Sequence, residues 1–172
     1  MSLKYLPEHA QAARFALDLA HRQAEHLRYS QSRLFEGPID FEWVQNLDNR
    51  PDLAEKVEVF ISRFGRLQDH LGDKLLPRFA ALVGENSKTL LDTLAIAERA
   101  DWLPSAEAFI AARKLRNTLV HEYMQDARIF LESLFAAHQA CNMLFTIIEN
   151  TEAEFHRLGV SVPGSSKTPL CD

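Results

Sequence analysis

Between Leu53 and Leu75 an apolar series repeats at Leu53, Val57, Phe60, Ile61, Phe64, Leu67, Leu71 and Leu75. Steps of three and four place them on one stripe of an α-helix, whereas in a strand they would scatter over both faces. A stripe this long has to be covered by other helices. The other periodic segments are helical too, so the expected fold is all-α, an up-and-down helical bundle of about five helices.

The first helix is expected from Pro7, a good first-turn residue, to about Leu34, with an alanine-rich seam of Ala12, Ala16, Leu19, Ala20, Ala24 and Leu27 that lets another helix approach closely. Gly37-Pro38 ends it, and Ile39 to Asp48 reads as a short helical turn whose Phe41, Trp43 and Val44 close one end of the core. The second helix starts near Asp52. Pro77 predicts a kink or short break before it resumes from Phe79 to Val83 and stops at Gly84. Asn86 or Ser87 would cap a third helix, Leu90 to Ala100, with Leu90, Leu91, Leu94, Ala95 and Ala97 in the core. A fourth begins at Ser105 and carries a stripe of Ala108, Ala111, Ala112, Leu115 and Leu119. The fifth, about Ala127 to Leu158, has an apolar face broad enough for two neighbours of its own bundle or for a partner chain. Residues 1–159 are expected to form one domain, and 160–172 a mobile Pro/Ser/Gly tail.

Composition narrows the function. A chain of 172 residues, 47% apolar, can bury a sizeable core, and a net charge of −5 excludes a broadly basic nucleic-acid surface while permitting a local one. Cys141 and Cys171 have neither metal nor redox spacing, and no Glu-x-x-His supports a di-iron bundle. His21 and His26, five apart, diverge on a helix and read as a solvated face rather than zinc ligands. No cofactor or metal is expected. No apolar run nears the ~20 residues of a membrane span, and the start lacks a signal-peptide core, so a reducing, cytoplasmic setting without membrane association is expected.

The second helix has two features beyond its stripe. Arg63, Arg66, His70 and Lys74 form a basic line; charge alone does not suggest RNA, but Arg63, Arg66 and Lys74 are the candidate RNA contacts if other residues point to it. Gly65 and Gly72 share another line with Asp69 between them. Two glycines on one helix face point to a close-packed backbone, leaving Asp69 in need of a partner: Arg116 or His121 across the interface, or Arg66 on its own helix.

The fourth helix ends in KLRNTLVHEY, Lys114 to Tyr123. Arg116 and Tyr123 lie on nearly one helix line, whereas His121 is about 140° from Arg116 on an ideal helix. One copy converges Arg116 and His121 only if the helix ends near His121; otherwise a second copy must face it across a two-fold axis. An imidazole exchanges protons near neutrality and a guanidinium fork matches phosphate oxygens. In RNA, such a pair can remove the 2′-hydroxyl proton and stabilise the attacked phosphorus without a metal. The chemistry alone leaves another reading open, in which Arg116 pairs with an acid and His121 packs at a helix end.

The string Arg116-Asn117-Thr118-Leu119-Val120-His121-Glu122-Tyr123, R-N-x-x-x-H-x-Y, together with RFGRLQDHLGDKL upstream, resembles HEPN domains, specifically the HepT-like toxins, over roughly residues 50 to 155. The resemblance implies a HEPN-like bundle and a metal-independent endoribonuclease toxin acting as a homodimer. Arg116 and His121 would be catalytic, and Asn117 and Asp69 would position the substrate. It also implies a cognate minimal nucleotidyltransferase antitoxin that transfers AMP to Tyr123, whose hydroxyl is expected at the mouth of the site. The alternative is a noncatalytic helical module that docks a nucleotidyltransferase or its substrate.

Overall fold

In the computed structural model, which describes residues 4–162, a 3-10 turn at Pro7–His9 leads into α1 (Ala10–Leu34), which lies along α3 (Pro51–His70). Alanine brings the two together, because Ala13, Ala16, Ala20 and Ala24 are all buried in the seam. With no bulk between the helices, side chains of one reach the backbone of the other. Arg63 donates to the His26 carbonyl (2.9 Å) and the Ser30 hydroxyl (2.6 Å), and His70 donates through Nε2 to the Ala16 carbonyl (2.7 Å). Ala12, expected in the seam, is exposed, and Leu19 is half-buried at its edge.

Pro77 does not interrupt the chain. α3 runs into a π-helical turn, Leu71–Leu75, and directly on into α4 (Leu76–Leu82). A proline has no N–H to give and its ring crowds the carbonyl four residues back; the wider turn just before it, closed by Leu76 N–H on the Leu71 carbonyl, accommodates both. The stripe behaves as its spacing predicts: Val57, Phe60, Ile61, Phe64, Leu67, Leu71 and Leu75 are buried and Leu53 is half-buried.

The other helices begin at side-chain caps that satisfy free first-turn N–H groups. Asp40 caps the short α2 (Phe41–Gln45), Ser105 caps α6 (Ala106–Glu122) and Asp126 caps α7 (Ala127–Arg157). α5 (Leu90–Arg99) is capped by Thr89 in a reciprocal box with Asp92, not by Asn86 or Ser87. Its buried face is Thr93, Leu94, Ile96 and Ala97, with Leu91 65% exposed and Ala95 also outside. Expecting both as core put the face about one position out.

α7 packs against α6, α1, α2 and α3, so its broad apolar face is largely used within the chain, although Phe135 remains 40% exposed. No strand occurs among the described residues, and the architecture is an all-α helical bundle. No helix among them is long and apolar enough to cross a membrane. Of the proposed tail, residues 163–172 lie outside the described residues. Val160 and Val162 pack against the core, and Ser161 N–H donates to the Tyr5 hydroxyl (3.3 Å), so the ordered body extends past Gly159. Cys141 is buried and burial pushes its thiol up to about 12, which leaves it inert; Cys171 falls outside the described residues.

Candidate functional site

α6 is set against α3 by three fitted contacts. Gln68, fully buried, donates to the Ala112 carbonyl at 2.9 Å. At Gly72 an added Cβ would meet the Phe109 ring at 3.2 Å, and at Gly65 it would meet Arg116 Nε at 2.6 Å. The two glycines do mark a close approach, but side chains rather than a backbone fill the space. The buried face of α6 is Phe109, Ala112 and Leu119, with Leu115 half-buried, while Ala108 and Ala111 are exposed. The expected stripe of Ala108, Ala111, Ala112, Leu115 and Leu119 passed over Phe109, the bulky residue that keys into Gly72.

Arg116 is thereby laid along α3 over Gly65, and its Nη1 donates to Asp69 Oδ1 at 2.9 Å. Of the partners open to Asp69, Arg116 is the one it takes; Arg66 and His121 do not bond to it. Arg113, one turn earlier on α6, adds weaker contacts to Asp69 (3.8 Å) and Asp73 (3.7 Å). Sequence reasoning missed Arg113 and Asp73, yet the signal was there: 113 and 116 are three apart and 69 and 73 four apart, so each pair shares a helix face. The Arg116 side chain is 36% exposed. It forms the floor of a surface depression with Ile61, Ser62, Arg66, Asp69 and Val120. Asp69 therefore positions Arg116 and does not stand alone as a substrate contact.

His121 is elsewhere. α6 is unbroken through Glu122, so the ideal divergence of about 140° from Arg116 holds. His121 is exposed and, like exposed Asn117, makes no hydrogen bond or ion pair among the described residues. One chain does not bring Arg116 and His121 together.

Tyr123 closes α6, its N–H still bonded to the Leu119 carbonyl at 3.2 Å. As the residue ending α6 it takes ψ 122, and Met124 follows in the left-handed region at φ 67. Its ring packs on Phe130 (centroids 5.4 Å apart) in a depression shared with Val44, Leu47, Asp48 and Met124. Burial, then the nearby carboxylates of Glu58 and Asp48, push its hydroxyl pKa up. Tyr123 and Arg116 thus line separate depressions although they project from one helix line, a correction to the expectation of a shared mouth. The link between them is α3, where Glu58 lies one turn before Ser62.

The basic line on α3 dissolves into individual roles. Arg63 and His70 are spent on α1, and burial lowers the His70 pKa, which favours the neutral imidazole. Arg66 is exposed beside Arg116, and Lys74 is exposed on the π-helical turn, away from that depression. On the other side of the bundle, His21 is not simply solvated: its Nε2 lies against the Glu152 carboxylate of α7. No group of three or more His, Cys, Asp or Glu side chains among the described residues is arranged to hold a metal ion. No family model, no curated protein and no solved structure matches this chain.

Proposed function

We propose that this protein is a metal-independent endoribonuclease of the HepT-like toxin type, whose active site is completed by a second copy of the chain. The observation that carries the reading is the seat of Arg116. A glycine is kept clear beneath it and Asp69 holds one side of its guanidinium, while the same helix presents an unpartnered His121 on another face. In a two-fold dimer, His121 of one protomer faces Arg116 of the other. The exposed Val120 and Met124 near the motif are the apolar surface available for such a contact. His121 takes the 2′-hydroxyl proton, the 2′-oxygen attacks the adjacent phosphorus, and Arg116 stabilises the added negative charge. The proton returns to the departing 5′-oxygen, leaving a 2′,3′-cyclic phosphate and a 5′-hydroxyl. Asn117, beside Arg116 in sequence and exposed, contacts the RNA backbone.

Neutralisation by a cognate minimal nucleotidyltransferase belongs to the same proposal. The Tyr123 oxygen attacks the α-phosphorus of ATP, pyrophosphate leaves, and the phenolic proton passes to a base, for which the Glu58 carboxylate faces the hydroxyl. AMP attached there adds bulk and negative charge beside Glu58, one turn of α3 before the Ser62 that lines the Arg116 depression.

Incubating the chain with RNA in EDTA tests the reading. Cleavage should persist, leave cyclic phosphate ends, and fall on the order of 10²- to 10⁴-fold in His121→Ala, with Arg116→Ala comparably damaged. A strict magnesium requirement, or full activity of a folded His121→Ala variant, overturns it. A noncatalytic docking module is the second reading, favoured by Asp69 already occupying part of the Arg116 fork. It predicts a stable complex with a nucleotidyltransferase and no cleavage under any condition.

A further inference from the structure

Three surface depressions run end to end along the exposed side of α3. The one around Arg116 shares Ser62 and Arg66 with the next, and that one shares Glu55, Val59 and Arg63 with a third, which opens between α3 and the C-terminal part of α1. The third is lined by Tyr29, Arg33 and Lys56 among others. From Asp69 to Glu55 the groove follows α3 for about 21 Å at 1.5 Å per residue. That is long enough for several nucleotides of one strand and too shallow to enclose a small molecule.

Charge and shape favour a polyanion with flat bases. Arg33, Lys56, Arg63 and Arg66 carry no acidic partner. Of the acids on the same track, Asp52 is paired with Arg50 and Asp69 with Arg116, leaving Glu55 and Glu58 without a cation, Glu58 facing the Tyr123 hydroxyl. Four cations without an acidic partner, of which Arg63 is held by Nη1 on α1, against two acids without a basic one make a local positive strip on a chain whose total charge is −5. At its far end Tyr29 is 63% exposed, an aromatic face held beside two cations. An open ring flanked by Lys and Arg is the arrangement on which single-stranded bases stack while their phosphates are held. A docked protein would want a broader apolar centre than the isolated Val59 provides.

We infer that this groove is a single-stranded RNA track: a strand held at Arg116 continues past Arg66 and Arg63 and stacks a base on Tyr29, with Arg33 and Lys56 on the flanking phosphates. The inference rests on the ribonuclease reading for the polarity of the track but is tested by binding alone. The probe is a fluorescein-labelled 2′-O-methyl octauridylate, which lacks the nucleophile and cannot be cleaved, titrated by anisotropy into the full chain. Tyr29→Ala should weaken binding about 5- to 150-fold, and Tyr29→Phe should restore it. Lys56→Ala and Arg33→Ala should each reduce the slope of log affinity against log salt by about 0.7, with the exposed Lys88→Ala, off the groove, unchanged. Absence of binding, or equal affinity in Tyr29→Ala and Lys56→Ala, overturns the track, as does binding only to a protein partner. The two readings separate cleanly. Binding that depends on Tyr29 without cleavage of ordinary RNA refutes the catalytic proposal and keeps the track, and cleavage with indifferent groove variants does the reverse.

Discussion

Replacing Gly65 with alanine should separate stability from activity. The new Cβ would lie 2.6 Å from Arg116 Nε, so the side chain must move by about 0.8 Å to reach the 3.4 Å at which ordinary contact begins. The obstacle is the middle of a flexible side chain and not backbone, so it can move, but not without loosening the 2.9 Å bond to Asp69. That pair is roughly two-fifths exposed, so its loss costs about 0.2–1 kcal/mol. Alanine in place of glycine within a helix contributes roughly 0.5–1 kcal/mol in the other direction. The net change in unfolding free energy should lie within about 1 kcal/mol of zero. Activity has no such compensation: a reacting group displaced by about 1 Å costs on the order of 10²-fold. Urea unfolding gives the first number, and cleavage of a fluorogenic RNA gives the second. A loss of stability above about 2 kcal/mol would mean that Gly65 faces something that cannot yield. Full activity at unchanged stability would mean that the seat of Arg116 is not used for chemistry.

A double-mutant cycle of Asp69→Asn with Arg116→Lys, read by urea unfolding, should give a coupling of about 0.2–1 kcal/mol, and a value of zero would show that Asp69 does not hold Arg116 in solution. His70 should make stability pH-dependent. Burial, opposed by its bond to Ala16 and helped by Arg78 and Lys74, holds its folded pKa below the ordinary 6.5. Its contribution is therefore fully present above pH 6.5 and is lost as pH falls through the folded value, because the unfolded chain takes the proton first. His70→Gln, which keeps a donor for the Ala16 carbonyl, should flatten the acid side of the unfolding profile; His138, shifted the same way by burial, leaves a residual slope. Tyr123→Phe should fold normally and cleave, yet gain no AMP on coexpression with a cognate nucleotidyltransferase, by intact mass. An adduct on that variant would place the modification elsewhere.

Helical periodicity alone determined the class of fold, the order of the long helices and the core stripe of α3, because a spacing of three and four has one physical meaning. Caps read with mixed success: Ser105 is placed as the local rule demands, while Thr89 displaced Asn86 and Ser87 by forming a reciprocal pair with Asp92. The Gly65–Asp69–Gly72 line was legible as a close approach and Asp69 as a group needing a cation, since a helix face without side chains has few other uses. Which atoms fill that space was not legible. Arg116, Arg113 and Phe109 are brought there by the docking of α6 on α3, which depends on contacts more than forty residues apart such as Gln68 to Ala112. The packing of α1 on α3 takes up Arg63 and His70 and leaves Arg66 free, although in sequence all three belong to one basic line. Tyr123 shows the limit most plainly. Counting along an ideal helix keeps it in line with Arg116, but the chain turns away just after it at Met124, and the pocket under α2 that receives its ring exists only once the bundle has closed.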